Sequence, residues 1–307
     1  MESAPTIFSF MKKATIYALG FFDGVHLGHQ VLLAECRRLA DEHGCRAAAV
    51  TFSSHPDTLV QGVTPRLINT IEDRVRLLKE NGMDEVVVLP FDKKMQTLPW
   101  QEFLSRLVES YDAVGLVCGH DFRFGNRGEG SADLLTDFCR KKGMSFAVVP
   151  EQKLCGITVS STHIRGLLEK GKMEEAGKFL GHPHILSGTV VSGRKLGRTL
   201  GIPTANLSIP QDVVDLPFGV YACKAQVEGI TYLAVTNIGN RPTVGGHRIT
   251  VEPWILDFDG DLYGKHLTLQ FFRFLRSEQK FPDLDALKEE IGKNALQTRK
   301  FFENNTK

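Results

Sequence analysis

ATIYALGFFDGVHLGHQVLLAECRRLADEHG (14–44) decides the fold. ATIYALG (14–20) reads as a strand. HQVLLAECRRLADEHG (29–44) reads as a helix, with Leu32, Cys36 and Leu39 at i, i+4 and i+7 and Gly44 as its stop. Between them, GFFDGVHLGH (20–29) is a glycine-rich turn that opens the helix. Helix N-termini present unpaired N–H groups and the positive end of a dipole, so they attract phosphate. Gly24 and Gly28 let the backbone turn tightly and approach a ligand closely. His26 and His29 stand where imidazoles can donate to a polyphosphate. Positioning and charge stabilisation dominate such transfers, so neither is read as a base. Two histidines without a third ligand nearby do not make a zinc site.

Outward from this stretch the alternation continues. RAAAVTF (46–52), EVVVLPF (85–91), AVGLVCG (113–119) and SFAVVP (145–150) read as strands. PWQEFLSRLVES (99–110) and SADLLTDFCRKKG (131–143) read as helices, and Thr70 with Asp73 marks a capping box before Ile71, Val75 and Leu78. Repeated β-α-β units predict a Rossmann-type parallel sheet covered by helices, with ligands beyond the carboxyl ends of the strands. Two further segments carry chemistry. GHDFRFGNRGEG (119–130) puts Asp121, Phe122 and Phe124 after a strand, where aromatic rings suit a flat ligand. VSSTHIRGLLEKG (159–171) puts Ser161, Thr162 and Arg165 at a helix start, a setting for phosphate or for simple capping.

After about Leu180 the period changes to short strands. GVYACKAQV (219–227) and TYLAVTNIG (231–239) read as one hairpin, VEPWILDF (251–258) and LTLQFFRFL (267–275) as another, with a last helix after Pro282. A small barrel or sandwich follows. The boundary falls in GHPHIL (181–186), giving domains 14–182 and 183–307. In SGTVVSGRKLGRTLGIPTANLSIP (187–210), Gly193 and its fellow glycines free the backbone to close over a ligand. Thr204 and Asn206, two apart on an extended segment, share a face and offer hard oxygens to Mg²⁺ on a nucleotide. Glu252 sits in an otherwise apolar strand pattern, where a carboxylate needs a partner or a proton-accepting task.

Composition sets bounds. A chain of 307 residues exceeds one ordinary core, and 42% apolar with 24% charged residues is a globular composition. A net charge of +1 gives no reason to expect nucleic acid or a membrane as partner. The six cysteines lack metal-site spacing and read as scattered thiols of a reducing compartment. No run is long enough to span a bilayer, and MESAPTIFSFMKK lacks the order of a signal peptide, so a cytoplasmic location is expected.

GFFDGVHLGH, TFSSHP (51–56), GHDFRFG and VSSTHIR, in this order, resemble the FMN adenylyltransferase module of bacterial bifunctional riboflavin kinase/FAD synthetases. GRKLGRTLGIPTANL, GVYA, NIGNRPT, VEPWILDF, DLYGK and FLRSEQKF resemble the riboflavin kinase module of the same family. The resemblance implies a nucleotidylyltransferase domain followed by a six-stranded barrel with a C-terminal helix. It implies that riboflavin and ATP give FMN and ADP, and that FMN and ATP give FAD and pyrophosphate without a covalent intermediate, with Mg²⁺. It places ATP at Gly20, Phe22, Asp23, Gly24, Gly28, Ser161, Thr162, Arg165, Gly193, Thr204 and Asn206, with His26 and His29 on the phosphates. It places flavin at His55, Pro56, Asp121, Phe122, Phe124 and Arg276, and makes Glu252 the general base. The chain departs from the family pattern at Phe21, Ser54, Thr158 and His182. A nucleotidylyltransferase for another acceptor and a flavin-binding protein without activity are the alternatives.

Overall fold

The computed structural model describes residues 14–60, 62, 64–191, 202–210, 212–243 and 246–305. Two units interleave along the chain. One comprises residues 14–22, Gly28–Pro65 and Val75–Gln152. The other comprises Asp23–Leu27, Arg66–Arg74 and the described residues from Lys153 on.

The first unit is built on five parallel strands, β1 (Thr15–Leu19), β2 (Arg46–Phe52), β3 (Glu85–Leu89), β4 (Ala113–Gly119) and β5 (Ser145–Val149), in the order β3-β2-β1-β4-β5. All five residues of β1 are buried, as a central strand covered on both faces requires. Helices α1 (Leu27–Glu42), α2 (Pro56–Val60), α3 (Ile71–Glu80), α4 (Lys93–Gln96), α5 (Trp100–Tyr111) and α6 (Ala132–Lys142) occupy the connections. α1 starts two residues earlier than its apolar spacing predicts, so His29 lies inside its first turn. Ser131 caps α6 by accepting from the Leu134 N–H at 3.4 Å, and Gly143 ends it with φ 65°. The strand order reverses between β1 and β4, which puts the ligand crevice of such a sheet beyond their carboxyl ends.

The second unit carries a short hairpin, β6 (Lys153–Leu154) and β7 (Ile157–Thr158), then α7 (Ser161–Leu168) and α8 (Met173–Leu180). A closed antiparallel barrel follows. Its strands are β8 (His184–Val191), β9 (Asn206–Ser208), β10 (Gly219–Val227), β11 (Ile230–Thr243), β12 (Gly246–Ile255) and β13 (His266–Ser277). Closure decides for a barrel over a sandwich and removes open edges. Leu207, Tyr221, Cys223, Val251, Leu269 and Phe271 are buried in its core. The β10–β11 turn, Glu228–Gly229, has positive φ at both residues (49° and 85°), the twist a two-residue hairpin favours. Helix α9 (Leu284–Asn304) covers part of the outer barrel face, where Ala295 joins Val220, Val235 and Leu256 in a second cluster. β12 extends further back than the predicted 251–258 and ends at Ile255. The short elements α2, α4, α8, β8 and β9 had no distinct periodicity to announce them.

His184 opens β8 fully buried against Phe271, and neither ring nitrogen has a hydrogen-bond partner among the described residues. Burial, with His182 adding to it, pulls its pKa down to about 3. A lowered histidine pKa leaves stability intact above the unfolded value of about 6.5 and removes it as pH falls toward 3. Going from pH 6.5 to 5 should therefore cost roughly 2 kcal/mol through this group alone. His184→Leu should flatten the pH dependence of the urea midpoint across that window; an unchanged slope would show that His184 does not titrate with unfolding.

Candidate functional sites

Three of the sequence motifs leave neighbouring strands of the parallel sheet. GFFDGVHLGH follows β1, TFSSHP closes β2, and GHDFRFG follows β4. In the first unit, Phe22 is fully buried with φ 59°, and its ring meets the His29 ring edge-on at 5.2 Å. The Gly20 position lies against that same ring, which a Cβ there would approach to 3.0 Å. His55 packs edge-on against Phe21 at 4.6 Å, and its Nδ1 accepts from the Asp57 N–H at 3.1 Å, just after Pro56 begins α2. Phe122 stacks on Phe124 at 5.5 Å, while Asp121 is exposed. Phe124 is 5% exposed and packs against Trp100 and Phe103.

The turn Asp23–Leu27 belongs to the second unit. Asp23 is 2% exposed; its Oδ1 accepts from the Ile68 N–H at 2.8 Å and the Asn69 N–H at 3.4 Å, and its Oδ2 lies 3.5 Å from Arg165 Nε. Burial pushes the Asp23 carboxyl up from the ordinary range, opposed by Arg165 and by the Ile68 N–H. The Ser161 hydroxyl donates to the Asp23 carbonyl at 2.9 Å, and Ser160 caps α7. Thr162 stays exposed. Gly24 has φ 82°, and a Cβ there would come within 2.9 Å of Ile68 Cδ1. Only glycine suits that point. His26 is buried, with 6% exposed.

The barrel presents a second constellation. Ala205, Leu207 and Val251 are buried in its core, so Thr204, Asn206 and Glu252 alternate to the outer face. Val251 pairs with Leu207, and the Ala205 N–H donates to the Pro253 carbonyl at 2.9 Å. That antiparallel register sets Glu252 opposite Asn206 on one side, with Asn237 opposite it on the other. Thr204 also lines a cavity of about 650 Å³ with Pro203, Phe258, Asp259, Asp261 and Tyr263, large enough for a nucleotide. Arg276 is bound by α9: its Nε donates to Asn294 Oδ1 at 3.2 Å and lies 3.3 Å from Glu290. Thr204 and Asn206 supply neutral oxygens, and no cluster of three acidic, histidine or cysteine ligands occurs among the described residues. That donor set fits a magnesium ion held mostly by phosphate and water. Gly193 lies outside the described residues.

Comparison with known proteins decides the family. A riboflavin kinase family model matches residues 180–302, and an FAD synthetase model matches residues 10–163. The bifunctional riboflavin kinase/FMN adenylyltransferase of Listeria monocytogenes is 34% identical over 292 residues, 94% of this chain and 92% of its own. That of Escherichia coli K12 is 36% identical over 298 residues, 95% and 94% respectively. The chain belongs to the bifunctional riboflavin kinase/FMN adenylyltransferase family. A crystal structure titled macrolide-efflux protein, from Streptococcus pneumoniae, shares the fold. It has a TM-score of 0.83 and 30% identity, covering 93% of this chain and 94% of that one. Among the described residues of this chain, no helix is long and apolar enough to cross a membrane.

Within this family frame, Phe22 and Asp23 are buried and build the base of the turn. Phe124 is core, which leaves Phe122 as the half-buried ring of that pair. Asn237 and Asp261 open the NIGNRPT and DLYGK motifs but had no site role assigned; register sets Asn237 opposite Glu252, and Asp259 and Asp261 line the cavity.

The split between the two phenylalanines is testable. Phe124→Ala should lower unfolding free energy by about 3–5 kcal/mol, the range for an aromatic core deletion. Phe122→Ala should cost less than half of that, because part of its ring is already in water. Urea denaturation of both variants checks this; equal losses would put Phe122 in the core as well.

Proposed function

We propose that this chain makes FMN from riboflavin and ATP with its barrel and adenylylates FMN to FAD with its N-terminal motifs, releasing ADP and pyrophosphate respectively. The observation that carries the kinase assignment is Glu252 set opposite Asn206, beside Thr204 and its nucleotide-sized cavity. The Glu252 carboxylate takes the proton of the riboflavin 5′-hydroxyl as that oxygen attacks the γ-phosphorus of ATP. Thr204 and Asn206 would hold Mg²⁺, which neutralises charge on the transferring phosphoryl group. Arg276, fixed by Glu290 and Asn294, orders the flavin end of the site.

In adenylyl transfer an FMN phosphate oxygen attacks the α-phosphorus of ATP, and pyrophosphate leaves. His29, in the first turn of α1, donates to the charge that develops on the phosphates. The turn residues Gly20, Phe22, Asp23 and Gly24, with His26, Gly28, Ser161, Thr162 and Arg165, are proposed for ATP, and His55, Pro56, Asp121, Phe122 and Phe124 for the flavin. A divide at His182–Pro183 separates the two activities in sequence. We place the enzyme in the cytoplasm, with small-molecule partners and without nucleic acid or membrane. Incubation with riboflavin, ATP and Mg²⁺ followed by flavin chromatography tests the reading. FAD supports it, FMN alone leaves only the kinase, and unchanged riboflavin leaves a binder.

Two substitutions separate the steps. His29→Ala should slow FAD formation from FMN by roughly 2.7–4 kcal/mol of barrel-independent transition-state stabilisation and spare riboflavin phosphorylation. Near-normal FAD formation in the folded variant rules the role out. Glu252→Gln keeps size and polarity but cannot accept a proton, so phosphorylation should slow about 10²–10⁴-fold while FMN supplied directly still becomes FAD. A kinase rate within a few-fold of wild type would remove Glu252 from the mechanism.

A further inference from the structure

We infer that Asp73 is a positioning residue for adenylyl transfer, acting through the Asp23 turn from an anchor on the barrel strand β8. The inference rests on the reading of the Asp23–His26 turn as part of the ATP-handling machinery. The residues that carry it, Asn69, Asp73 and Ser187, belong to none of the motifs of either reaction.

The segment Arg66–Arg74 is a strap tied at both ends to the barrel portion of its unit. At one end the Leu67 N–H donates to the Asp212 carbonyl and the Val214 N–H to the Leu67 carbonyl, both at 2.7 Å. At the other end Asp73 Oδ1 accepts from the Ser187 hydroxyl at 2.5 Å, and Oδ2 accepts from the Ser187 N–H at 3.1 Å. The Thr268 hydroxyl lies 2.9 Å from Ser187 Oγ, and since that oxygen donates to Asp73, Thr268 donates to it. In the middle, Asn69 Nδ2 donates to the Ile185 carbonyl at 3.4 Å. Asn69, Asp73, Ser187 and Thr268 are all at most 4% exposed.

Between these anchors the strap presents the Ile68 and Asn69 N–H groups to Asp23. A buried carboxylate is tolerated only where its hydrogen-bond donors are in place. The register of the strap therefore sets where Asp23 sits. Asp23 in turn fixes Gly24–His26 and, through its carbonyl, Ser161 at the head of α7. Asp73 also closes the capping box of α3, where the Thr70 hydroxyl accepts from the Asp73 N–H at 3.0 Å and donates to Asp73 Oδ2 at 3.1 Å, and the same side chain goes further. The carboxylate itself reaches across 114 residues of sequence to a charge-assisted pair of bonds. Releasing it leaves the strap free to slip by a fraction of an ångström. Transfer reactions that depend on alignment lose rate steeply under such a shift.

The consequence is that a substitution in the kinase barrel should impair the other reaction. In the full-length chain, Ser187→Ala and Asp73→Asn should each lower kcat for FMN adenylylation about tenfold or more. Riboflavin phosphorylation should stay within about threefold, as Thr204, Asn206 and Glu252 are untouched. The double variant should be no worse than the worse single, since both remove one link. Ser187→Thr, which keeps the hydroxyl, should restore most of the rate. His29→Ala serves as the control for the underlying reading. If it abolishes adenylylation while Ser187→Ala and Asp73→Asn stay within about threefold of wild type, the tether is overturned. The same holds if both activities fall in equal proportion with the melting temperature, which marks a bare stability role. Should His29→Ala itself be without effect, the reading of the turn fails first and the inference with it. Should Asp73→Asn not fold, Ser187→Ala and its threonine rescue decide alone.

Discussion

Taking a carboxylate out of water costs several kilocalories per mole unless hydrogen bonds and opposite charge replace the lost hydration. Asp23 is in that position, 2% exposed at the base of the turn that opens α1. Two strap N–H groups and the Arg165 guanidinium meet the requirement together. Those donors come from two distant stretches of sequence, so the demand of one buried charge draws the turn, the strap and α7 into a common arrangement. Arg74 adds to the pattern. It is fully buried, and burial pulls its pKa down to about 10 against the pull of Asp23 and Asp212. The unit is thus organised around polar groups that must be satisfied as much as around apolar packing.

The two chemistries use their scaffolds in different ways. The parallel sheet offers the ends of its strands, where backbone N–H groups and turns collect at the reversal of strand order. The barrel has a filled interior, and the residues proposed for phosphorylation lie on its outer face, where every second residue of β9 and β12 is available. Helix α9 covers the neighbouring apolar part of that face and holds Arg276 through Asn294 and Glu290.

Much of this was legible in the residues. Period-two and period-3.6 patterns located the long helices and most strands to within about two residues, because each buries one clear face, but not the far ends of β11 and β12. The shared face of Thr204 and Asn206 was legible because alternation along an extended segment is a local property, whereas the place of Glu252 opposite Asn206 comes from pairing between strands. The burial of Phe22, Asp23 and Phe124 was not legible. An aspartate in a glycine-rich turn looks open to solvent, and only the arrival of Ile68, Asn69 and Arg165 accounts for its burial. The strap could not be read at all, since a bond from Asp73 to Ser187 leaves no trace in either neighbourhood. Short elements such as α4 and β9 carry too few residues for a period to emerge.

The strap also orders events during synthesis. A ribosome delivers residues N-terminal first, at a pace of about 5–20 per second. Residues 66–74 emerge more than a hundred positions before Ser187 and Ile185, the groups that complete them. For that interval Asp73 and Asn69 must remain hydrated or find substitutes, and Asp23 lacks a settled donor set. The nascent N-terminal half can lay down its parallel sheet early, but the turn of the H-x-G-H motif reaches its final form only after translation has passed into the barrel. Vectorial assembly thus makes a turn near the start of the sequence one of the last parts to mature.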